Sequence, residues 1–309
     1  MNKPDIVVIG SCNTDLTIRS DRLPAPGETV LGGNFNQVPG GKGANQAVAA
    51  ARAGARVSLV AKIGRDVFGQ TMLRRLRQEG IRVNHVSRTS TPSGVALILI
   101  DRIGENLISV ASGANLELNS ADVKAAEPAF KKSRCVLTQL EIPLEAVNQA
   151  AKMAVERSIP FMLNPAPATR LPRSLLCHIN YLTPNQMELE ILTGVCARDQ
   201  SGVENAAARL QERGPCHVLV TCGRRGVYWR HGSGGKWFRT PRVKAVDSVA
   251  AGDCFAGVFA MAIARGEPLE VAVEFGVSAA AISVTRPGAQ PSLPTRAEIR
   301  KFRRQKLAI

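Results

Sequence analysis

The sequence predicts an α/β fold: a parallel-sheet sandwich covered by helices on both faces, with a small β-sheet lid. From about residue 118 onward, short apolar strands alternate with longer segments of helical periodicity. Such alternation implies right-handed βαβ crossovers and a parallel sheet. Two stretches at about 14–37 and 93–112 contain β segments outside this alternation. The 309 residues suit one large domain, 1–309, that carries these two lid segments.

The first half of the chain is predicted to contain four strands and two helices. In the second helix Phe68, Met72 and Leu76 share one face, and Gly80 stands at the expected C-cap. A turn at Gly104 and Glu105 joins the last two strands. The predicted strands are 6–9, 57–61, 95–100 and 107–110, and the helices are 42–53 and 67–79.

The second half is predicted to supply most of the parallel sheet and its covering helices. Its predicted strands are 135–139, 161–163, 181–182 and 218–221, and its helices are 144–156, 186–192, 203–213, 255–264, 269–284 and 296–306. Ligands of such sheets bind beyond the carboxyl ends of the strands. Asn13, Glu141, Asn164 and Asn185 all come at or just after strand ends, so we expect a polar site at that edge.

Composition favours a cytoplasmic protein. The seven cysteines are scattered without a C-x-x-C pair, which indicates neither a disulfide framework nor a zinc site. Free thiols fit a reducing compartment. The start of the chain has too few consecutive apolar residues for a signal peptide. No run approaches the roughly 20 apolar residues of a membrane span. We expect no membrane partner.

The formal net charge of +15 raises the question of nucleic-acid binding. Three basic clusters, at 74–77, 131–134 and 300–306, also fit the solvated faces or ends of helices. Only two Trp and two Tyr are available for stacking on bases, and no nucleic-acid-binding motif is visible. The pattern therefore favours a solvated basic surface, and nucleic acid is not the expected partner.

The stretch 246–255, V-D-S-V-A-A-G-D-C-F, is the most informative motif. Small residues lead into an apolar helix with Asp253 in its first turn, so unpaired N–H groups and the helix dipole favour an anion above the loop. A carboxylate in that turn can take a proton from a hydroxyl. The pattern predicts phosphoryl transfer to an alcohol, with Asp253 as base and the N–H groups of 250–253 as anion hole. An ordinary capped helix is the alternative for this motif alone.

A second motif, P-G-G-K-G-A-N-Q at 39–46, precedes an alanine-rich helix. Its glycines permit close backbone approach. Gly43 follows Lys42 where a P-loop needs Ser or Thr, so the segment is not a P-loop. With Asn45 and Gln46 in the opening turn, it suits a small polyhydroxy ligand. A glycine hinge before a packed helix is the alternative.

Together the motifs resemble the ribokinase branch of the ribokinase/PfkB sugar kinase family, in order and over nearly the whole chain. The further matching segments are N-T-D at 13–15, P-G-E-T at 26–29, L-E at 140–141, N-P-A-P at 164–167, P-N-Q-M-E at 184–188 and T-C-G-R-R-G at 221–226. The family's fold is the expected one. The sequence has A-A-G-D where much of the family has G-A-G-D, and Ala250 still permits close approach.

The resemblance implies ATP-dependent phosphorylation of D-ribose at the 5-hydroxyl. Asn13 and Asp15 look like sugar ligands, because a carboxylate accepts hydrogen bonds from two neighbouring hydroxyls. Considered one at a time, without the other motifs, Asp15 and Glu141 fit solvated turn residues as well as sugar ligands. The further sugar contacts implied are Gly41, Lys42, Asn45, Glu141 and Asp253, and the implied nucleotide contacts are Asn185, Thr221, Gly223, Gly226, Ala251 and Gly252. The adenine is expected near Val243 and the helix at 279–283.

Two cations are also implied. Asn185 and Glu188 resemble the family's N-x-x-E motif for Mg²⁺ and phosphate, although a helix cap with Glu in the first turn explains the same residue types. The resemblance implies a K⁺ site formed by Asp247, Val249, Val284, Pro287, Gly288 and Ser292. Turn chemistry around 287–291 alone is the alternative there. The family further implies a homodimer paired through the β lids.

Other substrates and one other class of protein stay open at this point. Within the kinases, the alternatives are 2-deoxyribose, a ketohexose or a nucleoside. A nucleic-acid-associated or regulatory protein without turnover is the alternative from another class, and the basic surface is its only support.

Overall fold

The computed structural model describes residues 3–307 and contains two β-sheets. The strands are β1 (Asp5–Ile9), β2 (Asn13–Arg19), β3 (Asn34–Gly40), β4 (Arg56–Gly64), β5 (Arg82–Thr89), β6 (Gly94–Ile100), β7 (Asn106–Ala111), β8 (Val136–Thr138), β9 (Phe161–Leu163), β10 (Tyr181–Leu182), β11 (His217–Thr221), β12 (Val227–His231) and β13 (Gly234–Phe238). The helices are α1 (Lys42–Arg52), α2 (Val67–Gln78), α3 (Ser120–Ala125), α4 (Glu127–Phe130), α5 (Leu144–Glu156), α6 (Arg173–Leu176), α7 (Gln186–Thr193), α8 (Gln200–Gln211), α9 (Ala251–Arg265), α10 (Leu269–Ser283) and α11 (Arg296–Leu307).

The larger sheet has nine strands in the order β13-β12-β11-β10-β9-β8-β1-β4-β5. Neighbours from β11 to β5 are parallel, and β12 and β13 add an antiparallel edge. The chain leaves β1 toward β4 on one side and later returns to place β8 on the other. The ends of β1 and β8 therefore flank a topological switch point, where open α/β sheets bind ligands.

Helices cover both faces of this sheet, as predicted. On one face α1, α9 and α10 enclose a core that includes Phe255 and Phe259, and on the other α5 and α8 pack over Phe130 and Phe161. Helices α1 and α9 approach closely at Gly257, where a methyl group would lie 2.8 Å from the Ala49 side chain. Within residues 3–307 no helix is both long and apolar enough to cross a membrane.

The smaller sheet, of strand order β3-β2-β6-β7, is formed by the two segments predicted to lie outside the βαβ alternation. The predicted hairpin around Gly104 is confirmed as β6 and β7. One end of the small sheet is continuous with the large sheet's ligand edge, since β2 begins at Asn13 shortly after β1 ends at Ile9. The small sheet exposes large apolar side chains, namely Phe35, Leu97, Leu107, Ile108 and Val110.

Three sequence predictions need correction. Helix α9 begins at Ala251, not residue 255, because the small residues of the A-A-G-D motif are its first turn. Helix α8 spans Gln200–Gln211, not 203–213, because the Asp199 carboxylate accepts from the Gly202 N–H and caps it earlier. Strands β5, β12 and β13 were not predicted; β5 and β13 are half-exposed strands at the sheet's edges, which lack a continuous apolar run. Strand β9 and helix α5 have the predicted bounds.

Candidate active site

A polar cleft of about 160 Å³ opens at the carboxyl ends of the central strands. It is lined by Lys42, Asn164, Ala166, Thr183, Asn185, Glu188, Thr221, Ser248, Ala250, Ala251, Gly252 and Asp253. These residues come from the start of α1, the loops after β9, β10 and β11, and the start of α9. The predicted glycine-rich motifs, two hundred residues apart in sequence, thus meet in one site.

Asp253 lies in the first turn of α9 and is buried, with 7% of its surface exposed. Two side-chain amides from α1 hold its carboxylate: Asn45 Nδ2 donates to Oδ2 at 3.0 Å and Gln46 Nε2 donates to Oδ1 at 2.9 Å. Because both donors are neutral amides, they orient the carboxylate without forming an ion pair with it. The arrangement leaves a carboxyl group, fixed in direction, at the wall of the cleft.

Gln46 belongs to a chain of buried amides beneath the cleft. Its Nε2 also donates to Asn164 Oδ1 at 3.0 Å, and its Oε1 accepts from Gln139 Nε2 at 2.6 Å. Asn164 in turn donates to the Thr183 carbonyl at 2.9 Å. Gln46 and Gln139 are fully buried, so the bonds that fix Asp253 are shielded from water.

The charges in the cleft perturb one another. Burial raises the pKa of Asp253, while the positive charge of Lys42 and the amides of Asn45 and Gln46 act in the opposite direction. Burial alone disfavours the charge on Lys42, but surrounding carboxylates outweigh it and raise the pKa of this lysine. Those carboxylates are Asp253, Glu141, Glu188 and Asp15. Lys42 is therefore a fixed positive charge at neutral pH, beside a carboxylate that is more basic than usual.

The start of α9 presents backbone donors to the cleft. The Ala251 N–H donates to the Ser248 carbonyl at 3.3 Å, whereas within the described residues those of Gly252 and Asp253 have no protein acceptor. Ala250, the N-cap, has left-handed backbone torsions with φ of 58°. This conformation is unfavourable by about 1–2 kcal/mol for a residue with a side chain. The sequence expectation considered only close approach at Ala250, and the positive φ is the stronger reason for a small residue there.

A second group of polar residues adjoins the cleft at the ends of β1 and β8. The Glu141 carboxylate accepts from Ser11 Oγ at 2.5 Å and from the Lys42 N–H at 3.0 Å. Asn13 is buried, and its Oδ1 accepts from Asn115 Nδ2 at 2.7 Å. The loop after β1, the loop after β8 and the start of α1 are thereby tied together.

Asp15 faces the same region from β2 of the small sheet. Burial, reinforced by the negative charges of Glu141 and Asp253 and opposed by Lys42, raises the pKa of Asp15 to about 6. Gly40 on β3 makes room for it, because a side chain at that position would collide with the Asp15 carboxylate. Asp15 is half-buried beside other negatively charged carboxylates, and its oxygens can still accept hydrogen bonds from hydroxyl groups.

Asn185 and Glu188 form the helix cap that their residue types allowed, and their role toward Mg²⁺ stays a prediction. They form a capping box at the start of α7: Asn185 Oδ1 accepts from the Glu188 N–H at 2.8 Å, and Glu188 Oε2 accepts from the Asn185 N–H at 2.8 Å. Both side chains also line the cleft. Burial raises the pKa of Glu188, while the Asn185 N–H and Lys42 lower it.

The predicted nucleotide contacts divide between the cleft and the adjoining loop. Thr221 lines the cleft, but Gly223 and Gly226 are not among the residues of its wall. Gly226 has a packing reason to be glycine, since its φ is +107° and a side chain would strike the Phe238 carbonyl. Gly223 has φ of +53° and open space around it.

The residues predicted to bind a monovalent cation join two loops beside α9. The Asp247 carboxylate accepts from the Val249 N–H and the Gly288 N–H, both at 2.9 Å. The Val284 carbonyl accepts from the N–H groups of Val246 at 2.7 Å and Asp247 at 3.2 Å, which leaves it little capacity for a cation. Ser292 is buried, and its hydroxyl donates to the Ala289 carbonyl at 2.7 Å. Pro287 lies in the same loop.

Sequence reasoning did not assign roles to the residues that position others. Gln46 stood next to Asn45 in the predicted ligand motif, and its full burial identifies it as the second holder of Asp253. Ser11, Asn115 and Gln139 gave no motif signal, because their partners are more than 90 residues away in sequence. Only the folded chain brings them together.

Comparison with known proteins shows the family of the chain. Residues 3–296 match the family described as pfkB family carbohydrate kinase. The chain is 42% identical over 298 residues to a ribokinase of Haemophilus influenzae, covering 96% of this chain and 97% of that protein. It is 38% identical to a deoxyribokinase of Salmonella typhi, with coverage of 94% and 96%. The structure of Arabidopsis thaliana ribokinase complexed with ribose and ATP superimposes with a TM-score of 0.90 at 31% identity, covering 97% of this chain and 99% of that one.

Proposed function

The chain belongs to the pfkB family of carbohydrate kinases, and we propose from this premise that it transfers the γ-phosphoryl group of ATP to the 5-hydroxyl of D-ribose. The observation that carries the proposal is the fixed carboxylate of Asp253, held by Asn45 and Gln46 at the N-terminus of α9. The base lies beside a helix N-terminus that can bind an anion, and phosphoryl transfer to an alcohol requires both.

In the proposed mechanism Asp253 accepts the proton of the sugar hydroxyl as its oxygen attacks the γ-phosphorus in line with the leaving ADP. Because the pKa of Asp253 is raised, it lies closer to neutral pH, which favours proton transfer to this base. The N–H groups of Gly252 and Asp253, with that of Ala250 beside them, donate to the transferring phosphoryl oxygens. Lys42 balances the negative charge that gathers in the cleft.

Ribose is favoured over sugars that lack vicinal hydroxyls because of Asp15. This carboxylate, with its pKa raised to about 6, gains two hydrogen-bond donors from a 2,3-diol. Removing one hydroxyl would leave a buried acceptor unpaired, which costs binding free energy. Asn13, Gly41 and Glu141 border the same space, and we assign them to the sugar.

ATP and Mg²⁺ are assigned to the side of the cleft lined by Asn185, Glu188 and Thr221. Among the residues that the structure describes, no three His, Cys, Asp or Glu side chains are arranged to hold a metal ion. One carboxylate, that of Glu188, and one amide, that of Asn185, are enough for Mg²⁺, which keeps several waters and binds phosphate oxygens. When bound, Mg²⁺ neutralises charge on the phosphates. Glu188 and Asn185 would hold the ion, and Gly223 and Gly226 are assigned to the nucleotide, with open space around Gly223.

A K⁺ site is assigned to the paired loops at 246–250 and 284–292. Asp247, the Val249, Pro287 and Gly288 carbonyls, and the Ser292 hydroxyl are the oxygen donors there. Val284 is the weakest candidate, because its carbonyl already accepts two N–H groups. A bound K⁺ would draw the loop that precedes α9 into its anion-binding shape. We expect activity to fall markedly when Na⁺ replaces K⁺.

We further assign the exposed face of the small sheet to a second copy of the chain. Phe35 is 63% exposed, and the strand register places it on the same face as Leu97 and Leu107, which are 55% and 52% exposed. Pairing two such faces removes apolar surface from water and gives the homodimer predicted from the sequence. The same sheet carries Asp15 and would act as a lid over the sugar. We place the protein in the cytoplasm, where its free cysteines stay reduced.

Sugar-dependent release of ADP from MgATP in K⁺ tests the proposal, with D-ribose, 2-deoxyribose, fructose and adenosine compared at equal concentration. The proposal predicts the highest kcat/KM for D-ribose and a product phosphorylated at the 5-position by NMR. Preference for 2-deoxyribose, the sugar in the name of one 38%-identical relative, would overturn the role given to Asp15 and leave the transfer chemistry intact. No turnover with any acceptor, together with salt-sensitive DNA binding, would favour the nucleic-acid alternative.

A further inference from the structure

Three arginines gather at the end of the molecule opposite the cleft. Arg265 is the last residue of α9, and Arg296 and Arg300 lie in the first two turns of α11. We call them the arginine cluster. Helix α9 has fifteen residues and rises about 1.5 Å per residue, so the cluster stands about 20 Å from Asp253 at the other end of that helix.

Two of the guanidinium groups meet over Gly54, just after α1. A methyl group on Gly54 would lie 3.6 Å from Arg265 Nη2 and 3.7 Å from Arg296 Nη1. Both positive charges therefore lie against the same point of the backbone. Burial and the charge of Arg300 lower the pKa of Arg265, and burial and the charges of Arg265 and Arg300 lower that of Arg296.

Neither arginine has a protein acceptor for its inner nitrogen. Arg265 Nε and Arg296 Nε are buried, and neither donates a hydrogen bond within the described part of the chain. Arg52, near the end of α1, is paired instead: Nε and Nη2 bind Glu79, and Nη1 donates to the Gln290 and Leu293 carbonyls. Buried donors without an acceptor are costly, and two like charges that lie close together add to that cost.

The nearest acidic residue does not complete the cluster. Glu267 attracts both Arg265 and Arg296 through space, but among the described residues it forms no ion pair with either. What the cluster lacks is a compact group with several acceptor oxygens and negative charge. Phosphate has both, and guanidinium groups bind it through paired N–H donors.

We propose that the arginine cluster is a binding site for a phosphate-type oxyanion, separate from the cleft. The oxyanion is inorganic phosphate or the phosphate group of a phosphorylated small molecule. It accepts hydrogen bonds from Arg265 and Arg296 and removes the repulsion between them, so it joins the C-terminal ends of α1 and α9 to the start of α11. Arg300, which is exposed, closes the site from the solvent side.

Arginine-specific modification with phenylglyoxal, read by peptide mass spectrometry, tests the site directly. Sodium phosphate and ribose 5-phosphate are compared with sodium chloride at equal ionic strength. At ten times the dissociation constant a site that reacts only when empty is modified about tenfold more slowly. We expect this protection at Arg265 and Arg296, and none at exposed Arg77 on α2. Protection by phosphate alone identifies the free ion, and protection only by the sugar phosphate identifies a phosphorylated sugar. If each of the three arginines is modified at the same rate in phosphate, ribose 5-phosphate and chloride, the proposal is overturned.

Thermal unfolding supplies a second readout that does not depend on turnover. Arg296→Gln keeps a hydrogen-bonding side chain and removes one of the two charges over Gly54. Without phosphate this variant should unfold at the same Tm as the wild type or higher, because repulsion is relieved. Phosphate should raise the Tm of the wild type and of the Arg77→Gln control. It should raise the Tm of Arg296→Gln by a smaller amount, because that variant lacks part of the arginine cluster. Phosphate bound in the cleft contributes equally to all three proteins, so an identical gain in all three would contradict the proposal.

Discussion

The carboxylates of the cleft and those that cap the outer helices are held in opposite ways. At the cleft, burial raises the pKa values of Asp253, Asp15 and Glu188, so their charged forms are unfavourable in the folded protein. At the start of α11, Glu298 accepts from the Thr295 N–H at 2.7 Å and pairs with Arg286, and its pKa falls to about 2. At the start of α2, hydrogen bonds from Gly69 and Ser93 outweigh partial burial and lower the pKa of Asp66. The caps of α2 and α11 are stabilised by the charge of their carboxylates, whereas the charged carboxylates of the cleft lower the stability of the fold, as expected of a site prepared for a ligand.

The largest effect is expected for Asp253→Asn. The amide keeps the shape of the side chain but cannot take the hydroxyl proton, so kcat should fall about a thousandfold or more. Sugar binding, measured by calorimetry, should survive. Asp101→Asn in an exposed turn is the matched control, and a kcat of Asp253→Asn near that of the control would refute the assignment of the base.

Gln46→Met should have the next largest effect. The apolar side chain of similar length removes one of the two donors to Asp253, so the charged form of that carboxylate becomes less favourable. A hydrogen bond to a charged group contributes about 1.5–3 kcal/mol, and we expect kcat at neutral pH to fall about tenfold to a hundredfold. Partial recovery of kcat at higher pH would separate this from misfolding, and Gln70→Met on the exposed face of α2 is the control. Unchanged kcat would show that Asn45 alone suffices.

Asp15→Asn should change binding and stability in opposite directions. Loss of the carboxylate weakens sugar binding, with KM rising about tenfold. The folded-state pKa of about 6 lies above the unfolded value, so this group favours folding when protonated and loses that contribution as pH rises through 6. The variant should therefore gain about 1 kcal/mol in unfolding free energy at pH 7.5 and little at pH 4. Destabilisation at pH 7.5 relative to an Asp21→Asn control would contradict this sign.

Glu298→Gln should give the smallest effect and the opposite pH dependence. The folded-state pKa of Glu298 lies below its unfolded value, so its contribution is complete above about pH 4.5 and disappears as pH falls through about 2. The side chain is 41% exposed, and after allowance for solvent screening we expect a loss of about 1 kcal/mol at pH 7. Urea unfolding at pH 7 and pH 2.5, with Glu105→Gln as control, measures it. An equal loss at both pH values would remove the contrast with the cleft.

The cleft was more predictable from sequence than the network that supports it. The motifs at 39–46 and 246–255 contain Lys42, Asn45 and Asp253 because backbone approach and helix-end chemistry require particular residue types at fixed spacing. Gln139 and Ser11 hold those residues through contacts made only after folding. No local spacing encodes such partners, so they appear only in the structure.

A similar division holds for the fold. Buried strands such as β9 and amphipathic helices such as α5 were predicted with their bounds, because continuous apolar runs and helical periodicity mark them. Strands β5 and β13, which were not predicted, lie at the sheet's edges, where exposure mixes polar residues into the pattern. The start of α9 was missed for a different reason: the small residues of A-A-G-D have the composition of a loop, and tertiary contacts make them a helical turn.

The most direct test of this contrast is the pH dependence of kcat/KM for the preferred sugar at saturating MgATP. The account predicts that kcat/KM falls as pH drops through about 6, because Asp15 must be ionised to bind the sugar. In Asp15→Asn this fall near pH 6 should disappear. A wild-type profile that stays flat down to pH 4.5 would mean that the cleft carboxylates titrate like ordinary ones, and would contradict the account.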